Sequence, residues 1–131
     1  MRKMRILIAV LMLSVTVSAQ YVPLKVSLTI LERLVIGGMI PKETNFANWK
    51  IFNDLRNELA PTEDELKALD PKPNATGGTN ANWEAIPEKE ITFSETTERM
   101  ITDALKELDS RSKLLPEHIS VYKKFVLKEK E

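Results

Sequence analysis

The sequence predicts a mainly α single domain: four to five short helices with a small β-hairpin, compact, following an N-terminal signal peptide. Three observations carry that expectation. Apolar residues recur at i, i+3, i+4 spacing in separate segments, as one buried helix face requires. Ser, Thr, Asn and Pro helix-start signals stand ahead of those segments. A Pro/Gly/Asn/Thr-rich stretch at residues 70–82 (DPKPNATGGTNAN) interrupts them near the middle of the chain. The length of 131 residues, with 43% hydrophobic and 29% charged side chains, is that of one globular domain.

The first element is a leader. Arg2, Lys3 and Arg5 form a compact positive start, and residues 6–17 (ILIAVLMLSVTV) are almost wholly apolar. Val17 and Ala19 supply the small residues three and one before a cut, so cleavage is expected after Ala19, leaving Gln20 as the new N-terminus. The apolar run is short for a membrane span. The expectation is export to a periplasmic or extracellular space, with no membrane association after cleavage. The alternative is an anchor made of uncleaved residues 6–19. No cysteine follows the run, which excludes a lipoprotein anchor. Three bases leave with residues 1–19 and no acids do, so the remainder is acidic by three charges.

Residues 20–27 read as a lead-in to a helical domain spanning 28–126. Thr29 and Glu32 form a capping box, in which hydroxyl and carboxylate each satisfy a free N–H of the first turn. The helix that follows (ILERLVIGGMI) stops at Pro41. Leu28, Leu31, Leu34 and Val35 share its expected core face, Ile30 and Ile36 lie off it, and the segment reads as enclosed on most sides. The second helix starts near Thr44 or Asn45 and runs to Leu59. Ile51, Phe52, Leu55 and Leu59 make its stripe, with Phe46 and Trp49 to one side. Pro61 ends it, and Thr62 with Glu65 caps a short third helix carrying Leu66 and Leu69. The acidic run Glu63-Asp64-Glu65 fits its first turn, where the helix dipole favours anions, better than a metal site.

After the flexible loop expected at 70–82, residues 83–86 and 90–93 read as two strands of a hairpin around Pro87-Glu88-Lys89. Such a hairpin is marginal alone and must lean on the helices through Trp83, Ile91 or Phe93. Ser94 caps a fourth helix to about Asp109, whose apolar face holds Met100, Ile101, Ala104, Leu105 and Leu108. Pro116 opens a last helix with Ile119, Tyr122, Phe125 and Val126 inward. Residues 127–131 are expected to fray.

Taken in order, Leu28-x-x-x-Glu32-Arg33-Leu34, the step Ile40-Pro41-Lys42-Glu43, the central Trp83 and the closing His118-x-x-x-Tyr122-x-x-Phe125 form a pattern. Over about residues 24–126 the chain resembles small phage and prophage-type helical proteins of unassigned function. The resemblance implies a fold and no activity. Proteins of that type are usually cytosolic, and the export-like leader departs from them.

Composition narrows the chemistry. Lys+Arg and Asp+Glu number 19 each, so no basic field exists to carry nucleic-acid binding. Without cysteine there is no thiolate nucleophile, zinc–cysteine cluster or disulfide, and one histidine cannot build a multi-histidine metal site. No catalytic residues, metal or cofactor are therefore assigned. His118 reads as a surface or packing histidine rather than a general base. The pairs Asp54/Glu58 and Asp103/Glu107 read as solvated helix faces, with Lys50 and Lys106 close by. Gly77-Gly78 lacks the lysine and helix of a phosphate loop. Asn74-Ala75-Thr76 matches the N-glycosylation pattern, a match common by chance.

The residues singled out for binding are Phe46, Trp49, Arg33 and Trp83. Arg33 and Glu32 are the only charges on an apolar helix and, if buried, must be paired. Phe46 and Trp49 are expected either to pack under the hairpin, the preferred reading, or to form a hot spot for a partner. The function expected is a small exported, non-enzymatic protein-binding or assembly module, its partner another protein or a second copy. The alternative is a small hydrolase-like enzyme using His118 with an acidic residue.

Overall fold

The computed structural model describes residues 20–129; the leader and its cleavage point lie outside them. In chain order the elements are β1 (Leu24–Leu28), α1 (Ile30–Met39), α2 (Phe46–Leu59), α3 (Glu63–Leu69), β2 (Lys72–Pro73), β3 (Thr79–Asn80), a 3₁₀ turn (Trp83–Ala85), β4 (Lys89–Phe93), α4 (Glu95–Ser110) and α5 (Pro116–Phe125). The fold is mainly helical with a small antiparallel two-stranded sheet, as expected. Among the described residues, no helix is long and apolar enough to cross a membrane.

The sheet is not the hairpin read from the sequence. Strand β4 occupies the expected place, but its partner is β1, in the register Leu24↔Phe93 to Leu28↔Lys89. The lead-in at 20–27 is thus largely a strand. Trp83–Ala85 forms a 3₁₀ turn because Asn82 and Trp83 carbonyls accept from Ala85 and Ile86 N–H, closing the backbone on itself. Strand alternation then sends Val26, Leu28, Ile91 and Phe93 inward. Phe93 meets Phe125 edge to face, ring centroids 5.0 Å apart.

Around this sheet the main core gathers Phe52, Leu55 and Leu59 of α2, Ile101 and Leu105 of α4, and Val121 and Phe125 of α5. A smaller cluster joins Ile30, Leu69 and Ile86, with Trp83 packed against it. The helix caps fall where the sequence puts them: Asn45, Ser94 and the boxes Thr29/Glu32 and Thr62/Glu65 all close.

Two local expectations, on the buried faces of α1 and α5, are corrected. In α1 the buried side is Ile30, Glu32, Arg33 and Ile36; of the expected face Leu28, just ahead of the helix, is buried and Val35 packs on the core, but Leu31 and Leu34 are exposed. In α5 it is Val121 that is buried, and Ile119 is exposed. The 70–82 segment carries its own ladder, β2 with β3. There Asn74 Oδ1 accepts from Thr76 N–H at 3.1 Å and Gly78 N–H at 2.8 Å, and Gly77 supplies the positive φ of the turn. At the C-terminus, Lys128 reaches Glu98 at 2.8 Å and Glu129 N–H donates to Lys123 at 3.0 Å, so residues 127–129 are tied to α4 and α5.

Both capping glutamates also make long-range ion pairs. Glu32 Oε1 accepts from its own cap N–H at 3.0 Å and from Lys124 of α5 at 2.8 Å. Lys124 also donates to the Ser27 carbonyl of β1 at 2.9 Å. Glu65 Oε1 accepts from the Thr62 N–H at 3.1 Å, and both its oxygens take the Arg33 guanidinium. Arg33 is fully buried.

Two predictions follow from these pairs. Glu65→Ala strands a buried guanidinium and is expected to cost about 3–5 kcal/mol in urea unfolding. Its exposed neighbour Asp64→Ala should stay within about 0.5 kcal/mol.

Acid is expected to unfold the protein through the same groups. In Glu65 the Arg33 hydrogen bond outweighs burial and holds the carboxyl below its usual 4.5. In Glu32 burial is the largest influence and pushes upward, but the Lys124 and Thr29 hydrogen bonds and the Lys124 charge together bring the net shift down. Glu98 behaves alike, its burial overcome by Lys128 and the Tyr21 hydroxyl. Carboxylates held low in the fold stabilise it in full above about 4.5 and cease to do so as pH falls through their folded values. Urea midpoints should therefore fall steadily below pH about 4.5. At the alkaline end Tyr21, raised to about 12 by burial and by Glu98, loses its contribution as pH climbs from 10 through about 12.

Candidate functional site

The aromatic pair is set by the geometry of α2. Asn45 caps the helix, its Oδ1 accepting the Asn48 N–H at 2.9 Å, so Phe46 is the first helical residue. With Phe52, Leu55 and Leu59 turned to the core, a 3.6-residue period puts Phe46 and Lys50 on the opposite side and Trp49 on the flank. Phe46 is 91% exposed and Trp49 52%. Neither belongs to a core cluster, so the expected packing under the hairpin is overturned. Lys50 is the one charged residue between Phe46 and Asn53.

The other two predicted binding residues are structural. Trp83 packs against Ile30, Leu69 and Ile86, where it closes the smaller cluster. Arg33 is enclosed and paired with Glu65 through its two terminal nitrogens, while its buried Nε has no hydrogen-bond partner. The four candidates thus separate: two stand in solvent together, and two hold the fold.

A second surface lies where α1, α4 and α5 meet. It is an open groove of about 870 Å³. Leu31, Leu34, Val35 and Met39 of α1 line one wall. Ala104 and Leu108 of α4 form the apolar part of the other, bordered by Glu107, Arg111, Lys113, Glu117 and His118. Glu107 and Arg111 are paired at 2.9 Å. The sequence did hold a sign of this face: Ile30, Arg33, Ile36 and Ile40 form a competing stripe, and the capping box fixes Glu32 beside it. Choosing that stripe as the core face turns Leu31 and Leu34 outward.

His118 lies in the groove beside two acids, but one of its ring nitrogens is occupied. It is the third residue of α5, and its Nδ1 accepts the Leu115 N–H at 2.9 Å, the task a glutamate performs in α1 and α3. Only Nε2 is left for chemistry, and the groove lining includes no serine, threonine, tyrosine or cysteine. Asp54 and Glu58 border a smaller recess with Thr92, Ser94 and Thr97. Among the described residues no group of three or more His, Cys, Asp or Glu side chains is placed to hold a metal ion.

No family model, curated protein or solved structure matches the chain. Substitution separates the capping role of His118 from any other. His118→Ala should lower stability by about 0.5–2 kcal/mol through the lost cap. His118→Glu, which restores a reach-back carboxylate, should retain most of it in thermal unfolding.

Proposed function

We propose that this chain is a small exported, non-enzymatic binding module that holds a protein partner through Phe46 and Trp49. The observation that carries the reading is the exposure of both aromatics one helical turn apart on α2. Aromatic side chains left in water lower the solubility of the free protein and supply large contact area once a partner covers them. Lys50 beside them, with no acid in the same stretch, fits an apolar cleft bordered by carboxylates. The leader, with Arg2, Lys3 and Arg5 ahead of residues 6–17, supports action after export.

Phe46→Ala and Trp49→Ala should each leave urea stability within about 0.5 kcal/mol. Each should weaken capture of the partner, crosslinked in the native compartment, by about 30-fold, the loss of a hot-spot residue. A large stability loss with unchanged capture would reverse the assignment. The mass of the mature N-terminus tests the exported part separately, since Gln20 at the first position is required.

A hydrolytic reading is favoured by one observation, the position of His118 beside Glu107 and Glu117 in the groove. His118→Glu discriminates: it keeps the cap and removes the imidazole, so loss of a hydrolytic activity in a stable variant would establish that reading.

A further inference from the structure

Tyr21 anchors the start of the domain. It lies three residues ahead of β1 and donates its hydroxyl to the Glu98 carboxylate of α4. Lys128 reaches the same carboxylate at 2.8 Å, so both ends of the domain are tied to α4 through Glu98. Gln20 stands just outside this anchor, exposed and in no helix or strand. Its atoms can rearrange without moving Tyr21 or the core. Gln20 is also the only glutamine in the sequence, against seven asparagines, and it follows directly on the expected cut after Ala19.

We propose that, once the leader is cut, Gln20 closes into a pyroglutamyl ring, so that the mature chain begins with a neutral lactam. The proposal rests on the leader read from residues 2–19. Cleavage leaves an α-amine and a primary amide on one residue. The amine nitrogen attacks the side-chain carbonyl carbon Cδ. An N–Cδ bond forms, the Cδ–Nε2 bond breaks, and Nε2 departs as ammonia with the proton the amine gives up. No oxidant, metal or other reactant is consumed. The two groups share one residue, so the entropy of bringing them together is already spent. An α-amine titrates near about 8, which leaves about a tenth of it unprotonated and nucleophilic at neutral pH.

The lactam removes the terminal positive charge and the free amine that an aminopeptidase binds. Such trimming reaches only Gln20 and Tyr21, because the Val22–Pro23 bond is a tertiary amide that ordinary aminopeptidases leave intact. The ring therefore guards Tyr21, the residue that holds this end of the chain to Glu98.

The test reads intact mass and N-terminal fragments on protein taken fresh from its native compartment. The chain should start at residue 20 and be lighter than the encoded sequence by one ammonia. Pyroglutamyl peptidase should remove that residue and expose Tyr21. A general aminopeptidase should leave the wild type whole, while Gln20→Ala, its cut confirmed by the same mass, should lose residues 20 and 21 and stop at Val22. A Gln20 start at full mass overturns the proposal and leaves the leader reading standing. A chain that keeps Met1, or starts at any other residue, overturns the leader reading and the proposal with it. Resistance of Gln20→Ala to the aminopeptidase overturns the protective role.

Discussion

Two glutamates, Glu32 and Glu65, hold this fold together by doing two jobs each. As the third residues of α1 and α3 they close capping boxes, which fixes each carboxylate beside its helix N-terminus. From there Glu32 takes Lys124 of α5, and Glu65 takes Arg33 of α1. Helix α1 is thereby pinned on two sides, to α3 and to α5, by charges it also uses for its own start. A buried ion pair is poor evidence of net stability, because desolvation offsets most of the attraction. Its value here is positional. The cap and the two pairs together fix the rotation of α1, with Glu32 Oε2 and Arg33 Nε left buried without a hydrogen-bond partner.

That rotation has a consequence for the surface. Fixing Glu32 and Arg33 inward leaves Leu31 and Leu34 outward, although burying two leucines would gain several kcal/mol by area alone, at about 1.5–3 kcal/mol each. Turning α1 to bury them would break the Arg33–Glu65 and Glu32–Lys124 pairs and the positions they fix. The groove between α1, α4 and α5 is therefore produced by the same interactions that lock the core, and it cannot be filled by turning the helix.

Local signals were legible in the sequence because their physics is local. The caps at Thr29, Asn45, Thr62 and Ser94, the Pro116 start and the stripe Phe52–Leu55–Leu59 all follow from residues a few positions apart. What escaped was non-local. Strand β4 was readable as a strand, but its pairing with β1 joins residues more than sixty apart, and nothing near Lys89 specifies Leu28 over the adjacent 83–86 segment. Likewise α1 offers two apolar faces of similar quality, and the decisive partners, Lys124 and Glu65, lie on other helices. Of the candidate residues, the exposure of Phe46 and Trp49 follows from their place off the core stripe of α2. The packing of Trp83 and the burial of Arg33 were not legible, because a tryptophan or arginine has the same sequence signature whether it binds or packs.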